Sequence, residues 1–174
     1  MDYFGGIEIV WNKIQENKNS KTTSKFHWVP GGWIVTSKIC KHKAKHSLFV
    51  QDAFHVCEIT DWEELQEPKK AHAQSYRMKV HGGWIVRTCV TRKNKADVRH
   101  VFITDIFHQW EAKRWEETPD LSNRQTKAFR LTVPEGWIVR SHIHGDKWGM
   151  NIALSLIVDT EHEWTYDAIF HENL

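Results

Sequence analysis

Asp52-x-x-His55, Asp105-x-x-His108-x-Trp110 and Asp159-x-x-His162-x-Trp164 set a carboxylate and an imidazole in the same order three times, twice with an indole two residues on. Three chemistries suit those groups. As a turn device, the Asp carboxylate caps backbone N–H groups while the His donates to a nearby carbonyl. As a ligand pocket, the carboxylate accepts hydrogen bonds from hydroxyls and the indole stacks on a sugar or other flat ligand. That reading nominates Asp52, His55, Asp105, His108, Trp110, Asp159, His162 and Trp164, with Cys57 standing where the first copy lacks the Trp. As a metal site, His55, His108 and His162 converging on a common axis would hold Zn²⁺ with an open fourth position, the arrangement of a metal-dependent hydrolase.

The rest of the chain offers less. Cys40 and Cys89 have His neighbours in sequence, but no Cys–His–Asp set can be assembled, so no catalytic residue and no cofactor is nominated. Gly31-Gly32 and Gly82-Gly83 precede bulky Trp residues and not a helix start, which suits a turn better than a phosphate cradle.

The Asp and His must be positioned by a second echo upstream: Val29-Pro-Gly-Gly-Trp33-Ile-Val35, Val80-His-Gly-Gly-Trp84-Ile-Val86 and Val133-Pro-Glu-Gly-Trp137-Ile-Val139. Both echoes advance by about 51 to 54 residues per copy, the mark of a tandem array of whole modules. Within a module the period is two. Trp84, Val86, Thr88 and Val90 share one face, the expected core, and Ile85, Arg87, Cys89 and Thr91 share the other. The Gly-containing triplets supply a tight reversal, so a strand precedes each of them, and Leu48–Val50, Val101–Ile103 and Ala153–Val158 supply a third strand. A short helical turn is expected at each Asp-x-x-His, with a helix as one option for the segment beyond Asp105.

The expected fold is therefore mainly β: three tandem antiparallel three-stranded units in a pseudo-threefold arrangement, with the β-trefoil as alternative. The units span 25–70, 76–122 and 128–174 within one domain at 25–174, and 1–24 is expected to be an N-terminal extension and linker. Fifty-residue units are marginal alone, so a shared core and a monomer are expected.

The Gly-Gly-Trp-Ile-Val-Arg and Asp-x-x-His-x-Trp pair resembles short bacterial proteins built from one such unit. The resemblance covers the second and third units almost completely, while the first departs at Thr36 for Arg and at Cys57 for Trp. It implies modularity and carries no activity.

A net charge of +2, from 24 basic and 22 acidic side chains spread along the chain, argues against a strongly basic nucleic-acid surface. No apolar run approaches the roughly twenty residues needed to span a bilayer, and Met1-Asp-Tyr-Phe lacks the features of a general secretory signal. A soluble, cytoplasmic protein is expected, with Cys40, Cys57 and Cys89 as free thiols because their positions do not repeat. The copies agree in strands and turns and differ at 38–47, 89–99 and 142–150. A non-enzymatic module that recognises another protein through those variable loops is thus the leading expectation, with carbohydrate binding and metal-dependent hydrolysis as alternatives.

Overall fold

The structure is a computed structural model, and it describes residues 3–4, 7–8, 10–16, 21–57, 60–69, 71–92, 95–122, 126–143 and 151–164. Strands β1 (Tyr3–Phe4) and β2 (Ile7–Glu8) pair with each other. The first large sheet is an antiparallel meander of β3 (Asn12–Ile14), β4 (Thr22–Val29), β5 (Gly32–Ile39) and β6 (Lys45–Gln51). The second repeats it with β7 (Glu63–Leu65), β8 (Ala73–Val80), β9 (Gly83–Arg92) and β10 (Lys95–Thr104). The third has β11 (Glu116–Glu117), β12 (Thr126–Val133), β13 (Gly136–Ile143) and β14 (Ile152–Val158), with one 3₁₀ turn over Pro119–Leu121 between its first two strands.

To the three strands expected per unit the structure adds a fourth, at the edge and ahead of the others. Its source is the tail of the previous unit: β7 follows Asp52-x-x-His55 and β11 follows Asp105-x-x-His108. The first sheet takes its edge from the segment 1–24, expected as extension and linker, because Asn12, Lys13 and Ile14 pair with Phe26, Lys25 and Ser24. This exposes a third echo, Trp11-x-x-Ile14-x-Glu16, Trp62-x-x-Leu65-x-Glu67 and Trp115-x-x-Thr118-x-Asp120, in step with the others.

The reversals before the Trp residues are two-residue hairpins, with Val29 paired to Gly32 and Val80 to Gly83. Gly31 and Gly82 lie at φ +83° and +74°, where an L side chain is strained, and a Cβ on Gly83 would sit 1.9 Å from the Ile103 carbonyl oxygen.

Period-two alternation does not leave one face of the middle sheet wet, because the sheets stack face on face and the second is covered on both sides. Tyr76, Met78, Val80 and Ile85 pack on Val35 and Val50 of the first sheet. Trp84, Val86 and Ile103 pack on Phe129, Leu131, Val133 and Ile138 of the third. Arg87 and Cys89, assigned by the alternation to the face opposite the expected core, are therefore buried, as is His142. Burial on both faces replaces the alternation, and Gly83 to Val90 are buried throughout, Arg87 and Thr88 included.

Candidate functional site

After each third strand the chain turns at Asp-x-x-His. The Asp N–H donates to the hairpin carbonyl of Gly31, Gly82 or Glu135, and the His N–H donates back to the Asp carbonyl at 3.0 to 3.1 Å. His55, His108 and His162 then take φ of 51°, 52° and 55°. That left-handed conformation ends the turn, so the expected helical turn does not continue into a helix after Asp105.

Each carboxylate accepts three hydrogen bonds from its neighbours. Asp105 Oδ2 accepts from the Trp84 indole N–H at 2.9 Å and from the Trp110 backbone N–H at 2.8 Å, while Oδ1 accepts from the Gln109 N–H at 3.1 Å. Asp52 does the same with Trp33, Cys57 and Val56, and Asp159 with Trp137, Trp164 and Glu163. Burial disfavours the charged form of Asp52 and Asp105, but the indole and backbone donors outweigh it and hold both carboxyls below their ordinary range. Asp159 is held low first by the Trp164 N–H and then by the Trp137 indole.

Each imidazole is spent in the same way. His108 Nε2 donates to the carbonyls of Val80 at 2.8 Å and Gly83 at 3.1 Å, bracing the hairpin base. His55 reaches Val29 and Gly32, and His162 reaches Val133. Because a carbonyl only accepts, the proton resides on Nε2 in all three. The rings meet Trp33, Trp84 and Trp137 edge to face at 5.4 to 5.6 Å. The eight nominated residues therefore fall in three separate clusters, one at the hairpin end of each sheet. Among the described residues no group of three or more His, Cys, Asp or Glu side chains is placed to hold a metal ion.

Two arginines that the sequence motifs did not single out complete the second and third clusters. Arg77 lies over the rings of Trp84 (4.2 Å) and Trp110 (5.1 Å), donates to the Trp110 carbonyl and pairs with Glu63. Arg130 repeats this with Trp137, Trp164 and Glu116. In the first sheet all three positions change together, to Asn12, Phe26 and Cys57. Phe26 then packs edge-on against Trp33 at 5.4 Å. Joint loss of Glu, Arg and Trp was visible in the aligned copies, but only the fold shows that they touch. Trp110 is only 7 % exposed and its indole N–H is given to the Thr132 carbonyl, so that ring joins the second sheet to the third.

The turns present outward the pair of residues between Asp and His: Ala53-Phe54, Ile106-Phe107 and Thr160-Glu161. Phe54 is 86 % exposed, Phe107 80 % and Ile106 69 %. Of the expected contact loops, 38–47 and 89–99 are largely the paired ends of β5–β6 and β9–β10, and 144–150 lie outside the described residues.

No protein family, curated protein or solved structure gives a significant match to this chain. Among the described residues no helix is long and apolar enough to cross a membrane.

Proposed function

We propose that this protein is a non-enzymatic recognition module that binds another protein through apolar turn apices carried on a stack of three sheets. The supporting observation is the contrast within each turn. Asp and His are consumed by the scaffold in every copy, whereas the two residues between them differ and place Phe54, Ile106 and Phe107 in solvent. Large aromatics at such exposure, on turns held by hydrogen bonds from both Asp and His, are pre-organised anchors of the type that dominates protein interfaces.

A pull-down with the wild-type chain and with a Phe54→Ser/Ile106→Ser/Phe107→Ser variant tests this. A specific partner recovered by the first and lost by the second is expected. No partner at micromolar protein, or one retained by the variant, refutes the assignment to the apices.

A further inference from the structure

The outer face of the first sheet is a charged version of a surface that the second and third sheets keep covered. In the second sheet that face carries Trp62, Tyr76 and Arg87, and it receives Glu16 from the segment leading out of β3. In the third it carries Trp115, Phe129 and Arg140, and receives Glu67. Each time a carboxylate on an extended segment docks on a cation stacked against a Trp. The first sheet keeps the aromatic position as Trp11, but Lys25 replaces the Tyr or Phe, Thr36 the Arg, and Lys38 the Cys89 or His142 of the other copies.

Among the described residues no four-stranded sheet precedes this one, and β1 and β2 are a pair of two-residue strands. Trp11, Lys25, Thr36, Lys38, Lys43 and Lys45 line a cavity of about 670 Å³. That is within the roughly 300–1,000 Å³ usual for ligand-binding clefts. All four lysines are exposed, and among the described residues none of them has an acidic partner. Four uncompensated ammonium groups around one indole leave a focused positive field on a chain whose other charges nearly balance.

We infer that this groove binds an extended acidic segment of a partner protein, whose carboxylates pair with Lys25 and Lys38 beside the place that Glu16 and Glu67 hold on the two covered faces. Two observations favour a peptide over a nucleic acid. The repeat already uses this surface to receive a carboxylate from a strand-flanking segment, twice. The groove also offers a single indole, where a single-strand binder stacks successive bases on several rings. The site is distinct from the turn apices, so either assignment can fail without the other.

The test uses the full chain and a labelled synthetic peptide of residues 60–69, Thr-Asp-Trp-Glu-Glu-Leu-Gln-Glu-Pro-Lys, read by fluorescence anisotropy, with a single-stranded oligonucleotide in parallel. The peptide should bind, lose affinity as salt rises, and lose at least about tenfold in a Lys25→Glu/Lys38→Glu variant, since like charges then face each other. Trp11→Ala should also weaken it. A Lys79→Glu/Lys113→Glu variant, reversed at exposed lysines outside the groove, should remain within about twofold. Three results overturn the inference. One is that the oligonucleotide alone binds through these lysines. Another is that neither probe binds, which makes the lysines a solubilising end of the stack. The third is self-association in sedimentation that Lys25→Glu/Lys38→Glu abolishes, which makes the face an interface between copies.

Discussion

Arg140 donates from Nη1 and Nη2 to the two carboxylate oxygens of Glu67, 73 residues earlier in the chain, at 2.6 and 2.8 Å. Its guanidinium is fully buried, lies 4.4 Å from the centre of the Trp115 ring and gives a further bond to Ser75. Arg87 holds Glu16 and Ser24 in the same way over Trp62. One of these ion pairs crosses the joint between the first and second sheets and the other the joint between the second and third.

Removing one member leaves the other charge buried and alone. Glu67→Ala should therefore destabilise the fold by about 3–5 kcal/mol, whereas Glu67→Ala with Arg140→Met should recover most of that loss. Urea midpoints of the two variants check this, and equal losses in both would show that the pair itself holds the sheets together.

Trp110 separates the structural reading of the Asp-x-x-His-x-Trp echo from the carbohydrate reading. Its burial, the cover of Arg77 and its bond to Thr132 predict that Trp110→Ala costs about 3–5 kcal/mol, in the range of large core truncations. A binding pocket predicts a stable variant that has lost a ligand. Thermal unfolding alongside a glycan array distinguishes them, and an unchanged Tm with lost glycan binding would favour the pocket.

The first sheet's departure at Asn12, Phe26 and Cys57 should be reversible only as a set. Phe26→Arg alone buries a cation without its partner, and Cys57→Trp alone lacks the guanidinium it stacks on. Together with Asn12→Glu the three should be more stable than the sum of single effects by about 0.5–3 kcal/mol, the usual coupling of contacting residues. Additive losses in urea denaturation would mean that the first sheet's backbone does not accommodate the cluster.

Acid should loosen the joint between the first two sheets. His46 of β6 and His100 of β10 meet Nδ1 to Nδ1 at 2.9 Å, and His100 Nε2 contacts Ser37. Burial lowers the pKa of both. For His100 the neighbouring His46 and then Arg87 add to it, and for His46 Arg99 adds while Asp97 opposes. Unfolded histidines bind protons near pH 6.5, so below that value the unfolded chain takes up more protons than the folded one. Stability contributed by this pair should be complete above about pH 6.5 and fall as the pH drops toward the lower folded values. Urea unfolding across that interval should show the slope, and His46→Gln should flatten it. A stability that rises on acidification would contradict the geometry.

Much of the fold was legible because a strand and its turn are local. The alternation after Trp33, Trp84 and Trp137, and the glycines before them, dictate hairpins whatever surrounds them. Local sequence also placed Asp and His together in each turn, since only two residues separate them. It did not show that the tail of one unit becomes the edge strand of the next, because β7 and β11 are only three and two residues long and carry almost no periodicity.

The repeating unit follows from neighbouring residues alone: its hairpin, its turn and the residues that close it. How each face is used follows only from the way the sheets stack. The same two-residue period serves a sheet covered on one side or on both, so it could put Arg87 opposite the expected core but not show that a neighbouring sheet brings it a carboxylate. On the equivalent face of the first sheet Thr36 takes the Arg position with Lys25 and Lys38 beside it, and among the described residues no four-stranded sheet comes before it. Burial is a property of the stack, and a strand's own residues cannot encode which of its faces a neighbour covers.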